Sequence, residues 1–220
     1  IYTIVPVSAL GCKGDPFTVT VTVDPEPVVA IQAFTVCSDA PFGVNFNSST
    51  SVAAATYNIT GLNLNGLTIS AGTPAVADGV LASALADDAF TNITSAAVDV
   101  IYTVVPVSAL GCKGDPFTVT VTVNPEPVVI DQTFTVCSDS PLTGFVLGND
   151  VDGPAAVTYN VTALNLNGLI VSAGGAKVED GLLASGLADD SFTNKTAAAV
   201  DVIYTVVPVS ALGCKGDPFT

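Results

Sequence analysis

Few residues in this sequence could carry chemistry. Adjacent carboxylates occur at Asp87-Asp88 and again at Asp189-Asp190, and such a pair could hold a cation or act as an acid/base couple. A second arrangement, Asn149-Asp150-Val151-Asp152-Gly153, puts oxygen ligands at alternate positions of a Gly-containing turn, the start of a calcium loop. Its counterpart in the preceding repeat, Asn47-Ser48-Ser49-Thr50, has no carboxylate. The calcium candidates are therefore Asp150 and Asp152, with Asp87, Asp88, Asp189 and Asp190, each set against an ordinary turn or solvated face.

Histidine is absent, which removes the usual general base and the commonest metal ligand near neutral pH. With no nucleophile beside the carboxylates, an enzyme is not expected, nor any cofactor other than calcium. Five Asn-x-Ser/Thr triplets begin at Asn47, Asn58, Asn92, Asn160 and Asn194, the pattern of glycosylation acceptors, although it also arises by chance in a Thr- and Asn-rich chain.

The five cysteines are Cys12, Cys37, Cys112, Cys137 and Cys214, and no two form a CxxC pair. Disulfides inside repeats would be Cys37–Cys112 and Cys137–Cys214, leaving Cys12 for a cysteine outside the sequence. Disulfides across the linker would be Cys12–Cys37 and Cys112–Cys137. The first register is favoured, because the second needs a strand, a linker and another strand to double back until two Cα atoms lie within about 7 Å. Its weak point is that the first strand of a simple sandwich runs away from the turn that carries Cys112. Either register implies an oxidising compartment, outside the cytoplasm.

These residues are positioned by a repeat. The run Ile1 to Val23 returns at Ile101 with Ile4 replaced by Val104, and a third time from Ile203, at spacings of 100 and then 102 residues. FTVCSD recurs at Phe34 and Phe134, LNLNGL at Leu62 and Leu164, and LADD at Leu85 and Leu187. The expected divisions are 1–24, the closing strands of a preceding repeat; 25–124, a complete repeat; and 125–220, a second repeat cut before its last strand.

Within a repeat, Phe117 to Val123 alternates strictly, so Phe117, Val119, Val121 and Val123 share one face. Val98 to Val107 reads as its hairpin partner with Val98, Val100, Tyr102 and Val104 inward, and Pro106 suits an edge or bulge. Shorter runs at Phe34 to Cys37, Gly43 to Asn47, Ala55 to Thr60, Leu67 to Ala71 and Val80 to Leu85 bring the total to about seven strands. That count predicts an all-β, immunoglobulin-like antiparallel sandwich. LASALADDAF could alternatively form a short helical turn. Between repeats, VDPEPVV and VNPEPVV place prolines at alternate positions, a stiff extended connector that would set the repeats end to end.

Twenty acidic residues against five lysines give a formal charge of -15, which would repel a phosphate backbone and excludes nucleic acid as a partner. The uncharged stretch from Ala40 to Ala77 is broken by Asn, Thr, Ser and Gly and never supplies the roughly 18 apolar residues of a membrane-spanning helix. Methionine is absent and no charged-then-apolar leader opens the sequence, so it is expected to start inside a longer product.

YTVVPVSALGCKGDPFTVTVTVNPEPVV, together with LADDAFTNIT and FTVCSD, resembles the PKD-like, immunoglobulin-like repeats of giant surface adhesins of Bacteroidetes-type bacteria, some of them gliding adhesins exported by the type IX pathway. The resemblance covers the whole chain. It implies an extracellular, cell-surface β-sandwich repeat in a long filament, whose partners would be adjacent repeats, surface polysaccharide or other filament chains. Two alternatives stand beside it. One is a glycan- or calcium-binding accessory module of a larger secreted enzyme, and the other is a filament subunit that exchanges strands with its neighbours. Near-identical copies favour the structural, adhesive reading.

Overall fold

The computed structural model of the protein describes residues 1–44, 46, 51–148 and 150–220, with Asp150 described for its backbone alone. The strands in chain order are β1 (Tyr2–Ile4), β2 (Phe17–Val19), β3 (Gln32–Cys37), β4 (Ala54–Asn63), β5 (Thr68–Ala71), β6 (Ala77–Val80), β7 (Ala89–Thr91), β8 (Val98–Ser108) and β9 (Phe117–Asn124). They continue with β10 (Val128–Val129), β11 (Asp150–Asp152), β12 (Ala156–Asn165), β13 (Ile170–Ala173), β14 (Glu179–Leu182), β15 (Ser191–Thr193) and β16 (Ile203–Ser210). The protein is all-β with an immunoglobulin-type layout, and β3 to β9 supply the seven strands expected of a repeat.

One layer of the first sandwich is a five-stranded sheet in the order β3-β9-β8-β4-β6, and the other is the pair β5-β7. The alternating pattern folds as periodicity requires: Phe117, Val119, Val121 and Val123 on β9, and Val100, Tyr102 and Val104 on β8, are all buried in one apolar cluster. Val98 is only partly buried at its margin. Pro106 lies beyond the last β8–β9 rung, Val104↔Phe117, where β8 keeps β4 alone as a strand partner. A residue without an N–H costs no ladder bond to β9 there.

β4 passes to β5 through Asn65-Gly66, both at positive φ (47° and 91°), a tight reversal that an Asn-Gly pair adopts readily. It carries the chain from one layer to the other, and Asn65 Nδ2 donates to the Asp99 carbonyl at 2.7 Å to fix it.

Two expected strands differ. Phe42, Val44 and Phe46 are buried but lie outside any strand, while Asn45 and Asn47 fall outside the described residues. Beyond β6, residues 82–87 form successive turns closed by Ala84 N–H to Leu81 O, Ala86 N–H to Ser83 O and Asp88 N–H to Leu85 O. The segment is a run of separate turns, neither the strand expected over Val80 to Leu85 nor a helix. Leu85 is swallowed by the core (1% exposed) while Leu81 stays outside (68%), a division that strict alternation over 80–85 would not give.

β3 runs parallel to β9, with Gln32↔Val119 through Cys37↔Asn124 in register. The chain thus enters at one pole of the sandwich and leaves at the other, so first and last strands point the same way. In the second sandwich β12, β14 and β16 repeat β4, β6 and β8, and β13-β15 repeats β5-β7. The counterpart of β9 would start at Phe219, one residue before the sequence ends. Only its first contacts form: the Val206↔Phe219 bridge, and Gln132 N–H to Thr220 O at 2.8 Å. Residues 132–138 make no strand, and beside them lies a groove of about 430 Å³ walled by Phe134, Val136, Leu142, Phe145, Tyr204 and Val206.

Candidate functional site: the joint between the sandwiches

The paired carboxylates are turned to opposite environments. Asp87 is exposed, whereas Asp88 is buried (1% exposed) and accepts a 2.7 Å hydrogen bond from the Tyr102 hydroxyl. Asp189 is likewise exposed, while Asp190 is buried and bonded to Tyr204 Oη at 2.6 Å, with Gly175 N–H donating to its other oxygen at 3.0 Å. Burial raises the Asp88 carboxyl, the Tyr102 bond offsets part of that rise, and burial lifts both tyrosines as well. These second aspartates serve as internal acceptors that lock the 82–88 and 184–190 turns to β8 and β16. A Cβ on Gly72 would fall 2.3 Å from Asp88 Oδ1, so that position is restricted to glycine by close approach and by φ +78°.

Asp152 is exposed on β11, Asp150 shares that strand, and Asn149 lies outside the described residues. No cluster of three or more His, Cys, Asp or Glu able to hold a metal occurs among the described residues. Asn92 is fully buried, and its side chain is spent on structure. Nδ2 donates to Val123 O and Ala96 O, and Oδ1 accepts from Thr94 N–H and Oγ1. Asn194 repeats the three local bonds, two from Thr196 and one to Ala198. Here the Asn-x-Thr pattern is a turn motif whose amide is engaged.

The cysteines correct the expected pairing: Cys37 is joined to Cys214, 177 residues away, and not to Cys112, and Cys214 is not joined to Cys137. Cys12, Cys112 and Cys137 are free thiols. The parallel register explains it. Cys37 sits at the Asn124 rung while Cys112 precedes Phe117, so nearly the whole of β9, roughly 25 Å at 3.3 Å per residue, lies between them. At the far pole Cys37 meets the Leu212-Gly213-Cys214 turn of the second sandwich.

That turn is held against the Pro-x-Pro connector. A Cβ on Gly216 would lie 1.9 Å from the Pro127 carbonyl, and Gly114 stands against Pro27 in the same way. Around the disulfide, Asn92 N–H donates to Ser38 Oγ (2.8 Å), Thr91 Oγ1 to Asp39 Oδ1 (2.7 Å) and Glu126 N–H to Asn92 O (3.0 Å). The joint is built by FTVCSD and FTNIT from the first sandwich, the connector, and CKGD from the second. Sequence reasoning treated the connector as a spacer and missed this convergence. The Glu that stands between the two prolines in both copies was the available signal.

Glu126 is 3% exposed in the joint, whereas its counterpart Glu26 is exposed. Burial first, then the charges of Asp39 and Asp217, push the Glu126 carboxyl up to about 7 from an ordinary 4.5. The folded protein therefore keeps a proton that the unfolded chain has released. Stability from this group falls as pH rises from about 4.5 to about 7, and the full cost remains above that range. Glu126→Gln should unfold like the parent at pH 4 and be more stable by about 3 to 3.5 kcal/mol at pH 8, at ~1.4 kcal/mol per pKa unit. Urea titrations at pH 4, 6 and 8 check this, and parallel curves for the two proteins would contradict it.

A search of curated proteins finds no match. Two solved structures overlap weakly. "Protocadherin Gamma B2 extracellular cadherin domains 1-5" is 12% identical, with 89% of this chain and 39% of that one covered, at a TM-score of 0.30. "Protocadherin gammaB7 EC3-6 cis-dimer structure" is 14% identical, with 99% and 57% covered, at 0.29. This chain thus spans well under two thirds of either. The PKD-like domain family matches residues 1–27, 35–127 and 134–220, nearly the entire length and once per repeat, with no enzymatic family beside it, and the chain belongs to that family.

Proposed function

We propose that this chain is an extracellular structural and adhesive segment, divided as 1–24, 25–124 and 125–220, whose task is reach and stiffness at a cell surface. The observation that carries the reading is the Cys37–Cys214 bond across the joint. A covalent link between neighbouring sandwiches limits bending in a way a single connector does not, and it belongs to an oxidising compartment. Parallel first and last strands, entering and leaving at opposite poles, support an end-to-end arrangement. The resemblance to Bacteroidetes-type gliding adhesins supplies the finer setting, a long filament contacting surface polysaccharide or other filament chains.

Small-angle scattering on chains of increasing repeat number tests the rod. The maximum dimension should grow roughly linearly with repeat number, while growth near the cube root would mean a compact particle and defeat the reading.

A further inference from the structure

All five cysteines stand in one of two local settings, each recurring with the same turn hydrogen bonds, although Cys37 closes a strand and Cys137 lies outside one. Cys12, Cys112 and Cys214 follow a glycine at φ 81°, 82° and 81°. Each donates its N–H to the Oγ of Ser8, Ser108 or Ser210, at 3.1, 3.1 and 3.2 Å. In each, that serine's N–H returns to the cysteine carbonyl at 2.9 Å. Cys37 and Cys137 each precede Ser-Asp with the aspartate at φ 61° and 63°. There, Ser38 and Ser138 accept from Asn92 N–H and Asn194 N–H at 2.8 and 2.9 Å, and Thr91 and Thr193 donate to Asp39 and Asp139. The chain therefore holds three copies of one half-site and two of the other.

Only one pair of half-sites can meet within 220 residues, because the bond joins the early cysteine of one repeat to the late cysteine of the next, 177 residues on. Counting the same step from Cys12 or Cys112 leads before Ile1, and from Cys137 it leads beyond Thr220. Within each setting the joined cysteine is the less exposed: Cys214 is 0% exposed against a partly exposed Cys112 and an exposed Cys12, and Cys37 is partly exposed against an exposed Cys137. Glu126 and Glu26 divide in the same way, one enclosed by a joint and the other open.

We infer that Cys137, Cys112 and Cys12 are half-sites of the Cys37–Cys214 bond whose partners are cysteines of adjoining copies of this repeat, so that one disulfide spans every joint of the array. Each bond forms by thiol–disulfide exchange with a small-molecule or protein disulfide. One thiolate attacks the oxidant and releases a thiol, and the second cysteine's thiolate then displaces the remaining half. Two thiols give up two protons and two electrons, and the oxidant is reduced to two thiols. This pairing stands on the cysteine geometry alone, so a compact scattering result would leave it intact.

The test is a non-reducing peptide map after alkylation of native protein refolded with oxidised and reduced glutathione. The 220-residue chain should give Cys37 linked to Cys214, with label on Cys12, Cys112 and Cys137. The chain lengthened after Thr220 by a further copy of residues 119–220 should lose the label on Cys137 and link it to the added counterpart of Cys214, leaving Cys37–Cys214 in place. Cys137→Ser in the lengthened chain should free that added thiol without disturbing the first bond. Cys137 left labelled in the lengthened chain, or joined to Cys112 or Cys214, would overturn the inference, as would Cys37 joined to Cys112 in either chain.

Discussion

Val121→Asp is expected to unfold the first sandwich, while Val21→Asp, the same change in the same FTVTVTV sequence, is expected to be nearly silent. Val121 is 0% exposed at the middle of β9, an interior strand of the sheet, with Phe34 of β3 on one side and Val100 of β8 on the other. A carboxylate there meets neither water nor a cation. It must stay neutral or open the sheet, and the loss should exceed about 4 kcal/mol. Val21 is 58% exposed beyond the short β1–β2 hairpin, so its replacement should shift stability by less than about 0.5 kcal/mol. Thermal or urea unfolding of the two variants decides it, and equal effects would mean that the core face has been misassigned.

Lengthening the chain after Thr220 by the six residues that follow Thr118, Val119 to Asn124, should convert residues 132–138 into a strand. In the first sandwich β3 has β9 as its one strand partner, so its backbone order depends on that ladder. The counterpart segment has the same Phe-Thr-Val-Cys sequence, yet Phe134 and Val136 are 48% and 38% exposed. An added Val-Thr-Val-Thr-Val-Asn would put its valines over Phe134, Phe145 and Tyr204 and offer its backbone to 132–138. Hydrogen exchange of those amides should slow by at least about 100-fold, as local opening gives way to opening of the whole sheet. An extension with aspartates in place of the valines should leave exchange unchanged. Equal protection in both would show that the groove does not receive a strand.

Local pattern made much of this fold legible. The alternation of Phe117 to Val123 announced its own buried face, a signal contained in a few neighbouring residues, and the near-identity of segments 100 residues apart announced the repeated bodies. What escaped depends on partners distant in sequence. The pairing of β3 with β9 joins residues some 87 positions apart, for example Gln32 and Val119, and nothing within FTVCSD says whether its neighbour is parallel. The cysteine pairing escaped because both registers joined cysteines within a repeat or directly across one connector, and neither took the early cysteine of one repeat to the late cysteine of the next. The Asp87-Asp88 pair was seen as a unit because the residues are adjacent, whereas a turn sends adjacent side chains to opposite environments. Only the repeated Tyr102, fourteen residues on, hinted that one carboxylate had an internal partner.

The Cys37–Cys214 bond has a mechanical consequence. Tension applied at the two ends of the chain would pass from residue 37 to residue 214 through sulfur, so the 177-residue interval that holds nearly all of both sandwiches lies off the load path. At about 3.5 Å per extended residue, roughly 600 Å of contour length is withheld while the bond stays oxidised. β4 to β9 and β10 to β16 can then breathe or unfold without lengthening the molecule, and reduction of a single bond would release that slack at once.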